Sequence, residues 1–223
     1  MSITRYGYSD AFSGFFEFPT ENARRILPKH LEPAELHHGS SIFAMTVFDF
    51  TESMVGSYGE VVMAVIVAPL VSAGERLPHS AFFPYRVATT TKEAREHAIE
   101  RWRLPHWMED VEIDFDRPSG RIEAKISVAG APIANLSVTE HSWNPVSHLY
   151  QSFMADEDGS YMARITMEGN QSEHEEETGK LELHEHPFNA ELDLQEIYES
   201  PFREIWMREG QQLFDPLTQL QTA

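Results

Sequence analysis

Cysteine is absent from this 223-residue sequence. That excludes a disulfide framework, cysteine-ligated zinc or iron–sulfur sites, and a thiol nucleophile. Positive charge is scarce as well, with 17 lysines and arginines against 36 acidic residues, a formal charge of -19. No local basic patch offsets it, because Arg24–Arg25 and Arg101 with Arg103 fall in glutamate-rich, helix-like segments; neither nucleic acid nor an anionic membrane is an expected partner. The acidic run Ser172 to Gly179 reads as a solvated loop. No apolar stretch approaches a membrane span, and the opening residues lack the basic flank and apolar core of a secretion signal, so a cytoplasmic location is expected. Gly-x-Ser-x-Gly, Walker-type phosphate loops and dinucleotide fingerprints are missing too. Serine-nucleophile, phosphoryl-transfer and hydride-transfer chemistry therefore have no support, and no cofactor is expected.

What is present is a hydrophobic content of 41%, enough for a sizeable core in one domain spanning residues 1–223. The segment "GFFEFP" reads as a short strand. A helix follows, capped by Thr20 and broken by Pro28. "SIFAMTVFDF" and "YGEVVMAVIVAPLV" read as strands, the second so continuously apolar that burial on both faces is expected. "HSAFFPYRVATTT" is a further strand whose threonines cap the helix "KEAREHAIERWR", stopped by Pro105. Alternation across Val111 to His141, with turn signals at Pro118-Ser119-Gly120 and Gly130-Ala131-Pro132, predicts an antiparallel meander. More strand-like pieces follow. The closing segment "IYESPFREIWMREGQQL" reads as a helix, its apolar "PFREIWM" able to serve in an interface between copies or to pack internally. Many strands and few helices point to a sheet curled around a pocket.

Several residues are candidates for chemistry. His106, between Pro105 and Trp107, has the setting of an imidazole kept neutral by aromatic surface, which suits a general base, although packing alone also explains it. Glu60, at the start of the most apolar strand, is an acid–base candidate if it faces a dry cavity and a bland carboxylate if it faces water. His184, His186 and Glu191 stand at the His-x-His-x4-Glu spacing of cupin metal sites. The surrounding glycines do not fit that motif and Pro187 interrupts the strand, and among 11 histidines such a match also arises by chance.

The order "RRILPKHLEP", "YGEVVMAVIV", "IERWRLPHWMEDVEIDFDRPSGRIEA" and "LHEHPFNAELDL" resembles the acetoacetate decarboxylase family across nearly the whole chain. Tyr58-x-Glu60 matches the family's strand motif, Glu100 and Pro105 match the frame of its Glu-x-x-x-x-Pro-Lys-Lys motif, and His184-Glu185 matches a late His-Glu pair. The resemblance implies an α+β fold built as a cone-shaped, mostly antiparallel β-barrel with a few peripheral helices, assembled as a homo-oligomer. It also implies a reactive lysine that forms a Schiff base with the substrate ketone. Here the two lysine positions are His106 and Trp107, and all four lysines (Lys29, Lys92, Lys125, Lys180) lie elsewhere. The family's arginine and second glutamate fall near Ala11 and Met45.

Imidazole cannot form the protonated imine, so decarboxylation by that route is not expected. The expectation is instead acid–base chemistry by Glu60 and His106 on a small keto or hydroxy acid, of lyase, hydratase, isomerase or cyclase type. Tyr58, Trp102 and Trp107 would be pocket walls, and Arg86 would bind a substrate carboxylate. The alternatives are a catalytically silent small-molecule-binding relative and a metal enzyme using His184, His186 and Glu191. A cavity shared by Glu60 and His106 favours the enzyme, and a tryptophan-filled pocket the silent relative.

Overall fold

A computed structural model describes residues 3–220. In chain order its elements are β1 (Thr4–Pro19), α1 (Thr20–Ile26), β2 (Glu35–His37), β3 (Ser40–Glu52), β4 (Tyr58–Ile66), β5 (Ser80–Thr89), α2 (Lys92–Trp102), β6 (Glu112–Asp116), β7 (Arg121–Val128) and β8 (Ala131–Thr139). They continue with β9 (Trp143–Asp156), β10 (Gly159–His174), β11 (Lys180–Leu183), β12 (Arg203–Phe214) and β13 (Thr218–Leu220), and short 3-10 turns lie at Pro187–Asn189 and Leu194–Glu196. Among the described residues no helix is long and apolar enough to cross a membrane.

Seven strands in the order β1-β12-β10-β9-β5-β4-β3 close into a barrel, because β1 pairs with both β12 and β3. All neighbours are antiparallel except β5 and β9, which run parallel over Ser80–Phe82 only. Beyond that point the side of β5 is taken by the chain leaving α2. Val87 N–H donates to the Pro105 carbonyl at 3.0 Å and Trp107 N–H to the Val87 carbonyl at 2.7 Å. A second sheet, β11-β8-β7-β6, is the predicted meander with one strand added.

This second sheet lies against the outside of the barrel, and that placement explains the apolar run in β4. Val61, Met63 and Val65 join Ile122, Ile126 and Leu136 of the second sheet in one core. Glu60, Val62, Ala64 and Ile66 point the other way, into the barrel. The same alternation divides β1, whose Phe12 and Phe16 enter the core while Ala11, Ser13 and Phe15 face the interior. Each fully buried phenylalanine contributes roughly 2–3 kcal/mol. Gly14 is needed between them, since a Cβ there would lie 2.5 Å from the Phe16 ring.

Thr91 caps α2 through a 3.3 Å bond from Ala94 N–H. The helix ends in a left-handed Arg103, two residues before Pro105. Four expectations are corrected. The first strand is 16 residues long rather than short. Thr20 is the first residue of α1 and not its cap; its hydroxyl bonds Ser41 instead, at 2.8 Å. The acidic run is strand as far as His174, with Ser172 fully enclosed. The closing segment is not a helix, because "REIWMREGQQLF" is inserted between β1 and β10 as the last barrel stave. Its apolar residues pack internally, with Trp206 only 1% exposed.

Two buried carboxylates fasten this last stave and its partner. Glu204 accepts backbone N–H bonds from Thr139, Thr178 and Gly179 at 2.7, 2.9 and 2.7 Å. Asp10 accepts from Trp206 Nε1 at 2.8 Å and from the Arg117 guanidinium at 2.8 and 3.0 Å. Both have their oxygens held by hydrogen-bond donors.

Candidate active site

The barrel encloses a cavity of about 100 Å³ lined mostly by apolar side chains, among them Phe48, Val62, Phe82, Met167 and Phe214. That is several times the ~15 Å³ a single water requires. Among the described residues its one carboxylic acid is Glu60, and no arginine, lysine or histidine lines it. The position follows from β4: Glu60 is in register with Phe48 and Thr89, at the end of the inward-facing row that continues through Val62 and Ala64.

Glu60 is 9% exposed. Burial, with no ion pair to oppose it, pushes its carboxyl up to about 8, so that at neutral pH it is mostly the neutral acid. The contrast with Asp10 and Glu204 is one of partners, since theirs are fixed by donors and Glu60 faces the void.

Behind Glu60 lies a smaller void of about 20 Å³ bounded by Tyr58, Tyr6, His97 and Trp102, with Glu60, Leu104, Gln212 and Phe214 shared between the two. Trp102 Nε1 donates to the Tyr6 hydroxyl at 2.6 Å, and that hydroxyl also bonds His97 Nε2 at 2.7 Å. Burial raises the Tyr6 phenol to about 12, and raises Tyr58 strongly, with the nearby Glu60 adding to the effect in both. Both phenols are therefore neutral donors. Of the residues expected around the site, Tyr58 and Trp102 are thus assembled with Glu60.

His106 is placed differently. Its bridge to Val87, which is in turn opposite Val62, puts it on the inward side of the wall, yet it is not among the residues lining the cavity. Its Nδ1 bonds the Trp107 carbonyl at 2.8 Å, and its Nε2 is buried without a partner. Burial lowers its proton affinity, the carbonyl bond works against that, and Arg95 adds to the lowering, so the ring is neutral at pH 7. Glu60 and His106 do not share the cavity's lining.

Arg86 and Trp107 lie on the far side of the wall, and the expectation that they line the pocket is corrected. An irregularity at Tyr85 puts Pro84 opposite Ala64 but Arg86 opposite Met63, so one extra residue turns Arg86 from the cavity to the outside. There its guanidinium lies 5.5 Å from the Trp107 ring and 5.8 Å from the Phe188 ring, paired with Glu191. That pairing also disperses the metal set predicted from spacing. Glu191 is committed to Arg86, His186 Nδ1 accepts from Phe188 N–H at 3.0 Å, and His184 reaches only Asn135, at 3.5 Å. Ala11, at the approximate position of the family's arginine, does line the cavity, whereas Met45 faces the core. All four lysines are exposed, so none enters the cavity.

The closed barrel of seven strands with two helices outside it is an acetoacetate decarboxylase-like fold. Solved structures agree. An acetoacetate decarboxylase-like enzyme from Sphingomonas wittichii RW1 superimposes with a TM-score of 0.66 at 13% identity, over 99% of this chain and 93% of that one. The enduracididine biosynthesis enzyme MppR complexed with pyruvate gives 0.64 at 13%, over 99% and 91%. Acetoacetate decarboxylase from Legionella pneumophila gives 0.64 at 16%, over 97% and 87%. No protein-family model and no curated protein matches the sequence. The likeness is one of fold.

Proposed function

We propose that this protein is an acid–base enzyme acting without a substrate imine on a small keto or hydroxy compound, with Glu60 as the proton carrier. The observation that carries the reading is a single neutral carboxylic acid, unpaired, on the wall of an apolar cavity. A carboxyl poised near 8 both donates and recovers a proton at physiological pH. A carbonyl oxygen bound against it would accept its hydrogen bond, and the carboxylate formed on proton donation would take a proton from the neighbouring carbon. Enolisation, isomerisation or loss of water from a hydroxy compound all need only this exchange. Among the described residues the cavity wall has no amine to form an imine and no cation to hold a carboxylate.

MppR, whose structure was solved with pyruvate and with a pyruvate–aldehyde condensation product, supports carbonyl compounds as the ligand class for a barrel of this shape. A second reading, ligand binding without turnover, is favoured by the absence of His106 from the lining. Proton–deuterium exchange at the carbon next to the carbonyl separates the two. A panel of small ketones, hydroxy ketones and keto acids in D2O, followed by NMR, should show exchange for at least one compound with the wild type and none above background with Glu60→Gln. Saturable binding with no exchange in any compound would establish the silent relative.

A further inference from the structure

Three ligand-type side chains converge at the other end of the barrel interior from Glu60. His79 immediately precedes β5, His148 lies on β9 and Glu173 on β10, and one ligand atom from each lies within 4.8 Å of the others. The sheet register turns them inward. His148 is opposite Met167 and Glu173 opposite Ile205, both of which line the cavity, and cross-strand partners share a face. The His79 ring stacks on His148 at 4.1 Å and meets Tyr150, another lining residue, edge-on at 5.5 Å. Arg203 holds one oxygen of Glu173, and Gln171 Nε2 donates to the other. Gln171 is 5% exposed, and its Oε1 is buried with no donor.

We propose that His79, His148 and Glu173 bind one divalent transition-metal ion of the zinc class at the edge of the barrel cavity. Two imidazoles and one carboxylate suit zinc, iron, cobalt or nickel and not magnesium or calcium, which take oxygen ligands. Three protein ligands leave coordination positions for water or substrate, the arrangement of a catalytic and not a structural site. Gln171 Oε1 is an acceptor for a metal-bound water or a further ligand. Arg203 competes, because its guanidinium lies 3.3 Å from His79 Nε2 and pairs with Glu173, and it must give up the imidazole nitrogen when the ion enters. The site does not depend on the role given to Glu60.

The test is titration of the full chain, stripped with a chelator, using zinc chloride by calorimetry and cobalt chloride by visible absorbance. One ion per chain is expected, with d–d bands for cobalt. His148→Ala and, as a second variant, His79→Asn should each weaken uptake by about 100-fold or more, since loss of outer-shell partners alone costs ~10–100-fold. Arg203→Met should tighten it roughly tenfold by removing a nearby like charge. His38→Ala, on an exposed loop, and Glu60→Gln should leave it unchanged, the latter separating this site from the proton chemistry. Absence of stoichiometric uptake overturns the proposal. So does uptake that survives both histidine variants.

Discussion

The indole N–H of Trp102 meets the hydroxyl of Tyr6 at 2.6 Å, bolting the end of α2 to the first strand directly behind Glu60. The bond explains why a tryptophan stands here. It closes the aromatic wall behind the carboxyl from outside the larger cavity, whose space it leaves free. Trp102→Phe keeps one aromatic ring but loses the bond and the five-membered ring that carries it. Stability should fall by about 1–2 kcal/mol, read as a lower denaturation midpoint with an unchanged slope.

Glu60 makes stability depend on pH with a sign opposite to that of a salt-bridged acid. Its proton affinity is higher in the folded chain, about 8, than its ordinary value of 4.5. Between those values the native state holds a proton that the unfolded chain releases. The contribution is therefore full below 4.5, declines as pH rises, and is lost above 8. Glu60→Gln cannot ionise. The stability difference, variant minus wild type, should grow in favour of the variant across this window by several kcal/mol, roughly 1.4 per pH unit. Equilibrium urea unfolding at intervals of pH measures it, and a flat difference would exclude a buried, unpaired Glu60.

Covalent trapping addresses the missing amine. With keto acid and borohydride, no lysine should acquire a reduced imine above the level of random surface labelling, since all four are exposed. Stoichiometric adduct at one lysine, seen by peptide mass spectrometry, would contradict an imine-free mechanism.

Gly210 tests how the last stave is seated. A Cβ there would lie 2.2 Å from the Glu168 carbonyl oxygen and 2.4 Å from the Tyr8 hydroxyl, and backbone cannot yield as a flexible side chain does. Gly210→Ala should cost roughly 1–3 kcal/mol by overpacking. Thermal unfolding reads the loss, whereas the same change at Gly39, which has open space but a positive φ, should cost less than 2 kcal/mol from backbone strain alone.

Much of the fold was legible because periodicity is local. The unbroken apolar run of β4 correctly signals two buried faces, and Thr91 and Pro105 bracket α2 by rules that act within one turn. The closing segment misleads because "REIWMREGQ" spaces its apolar residues compatibly with a helix; its strand form is imposed by two neighbours, β1 and β10, that sequence periodicity does not contain. For the candidate site, motif and setting singled out Tyr58, Glu60 and Trp102, and the fold places all three around one void. Arg86 was not placed correctly, because a single-residue irregularity at Tyr85 reverses its face and leaves no mark in composition. The His79, His148 and Glu173 cluster had no signal at all, since its members are spread over three strands' worth of chain and meet only through sheet register.

Barrel closure zips residues 4–15 to residues 203–214, two strands far apart in the sequence. While the polypeptide is being synthesised, β1 can reach β3 but must wait for nearly the entire remaining chain before its other edge is satisfied. Contacts of such long sequence separation make folding slow, and any product truncated before Arg203 should aggregate instead of surviving as a smaller working unit.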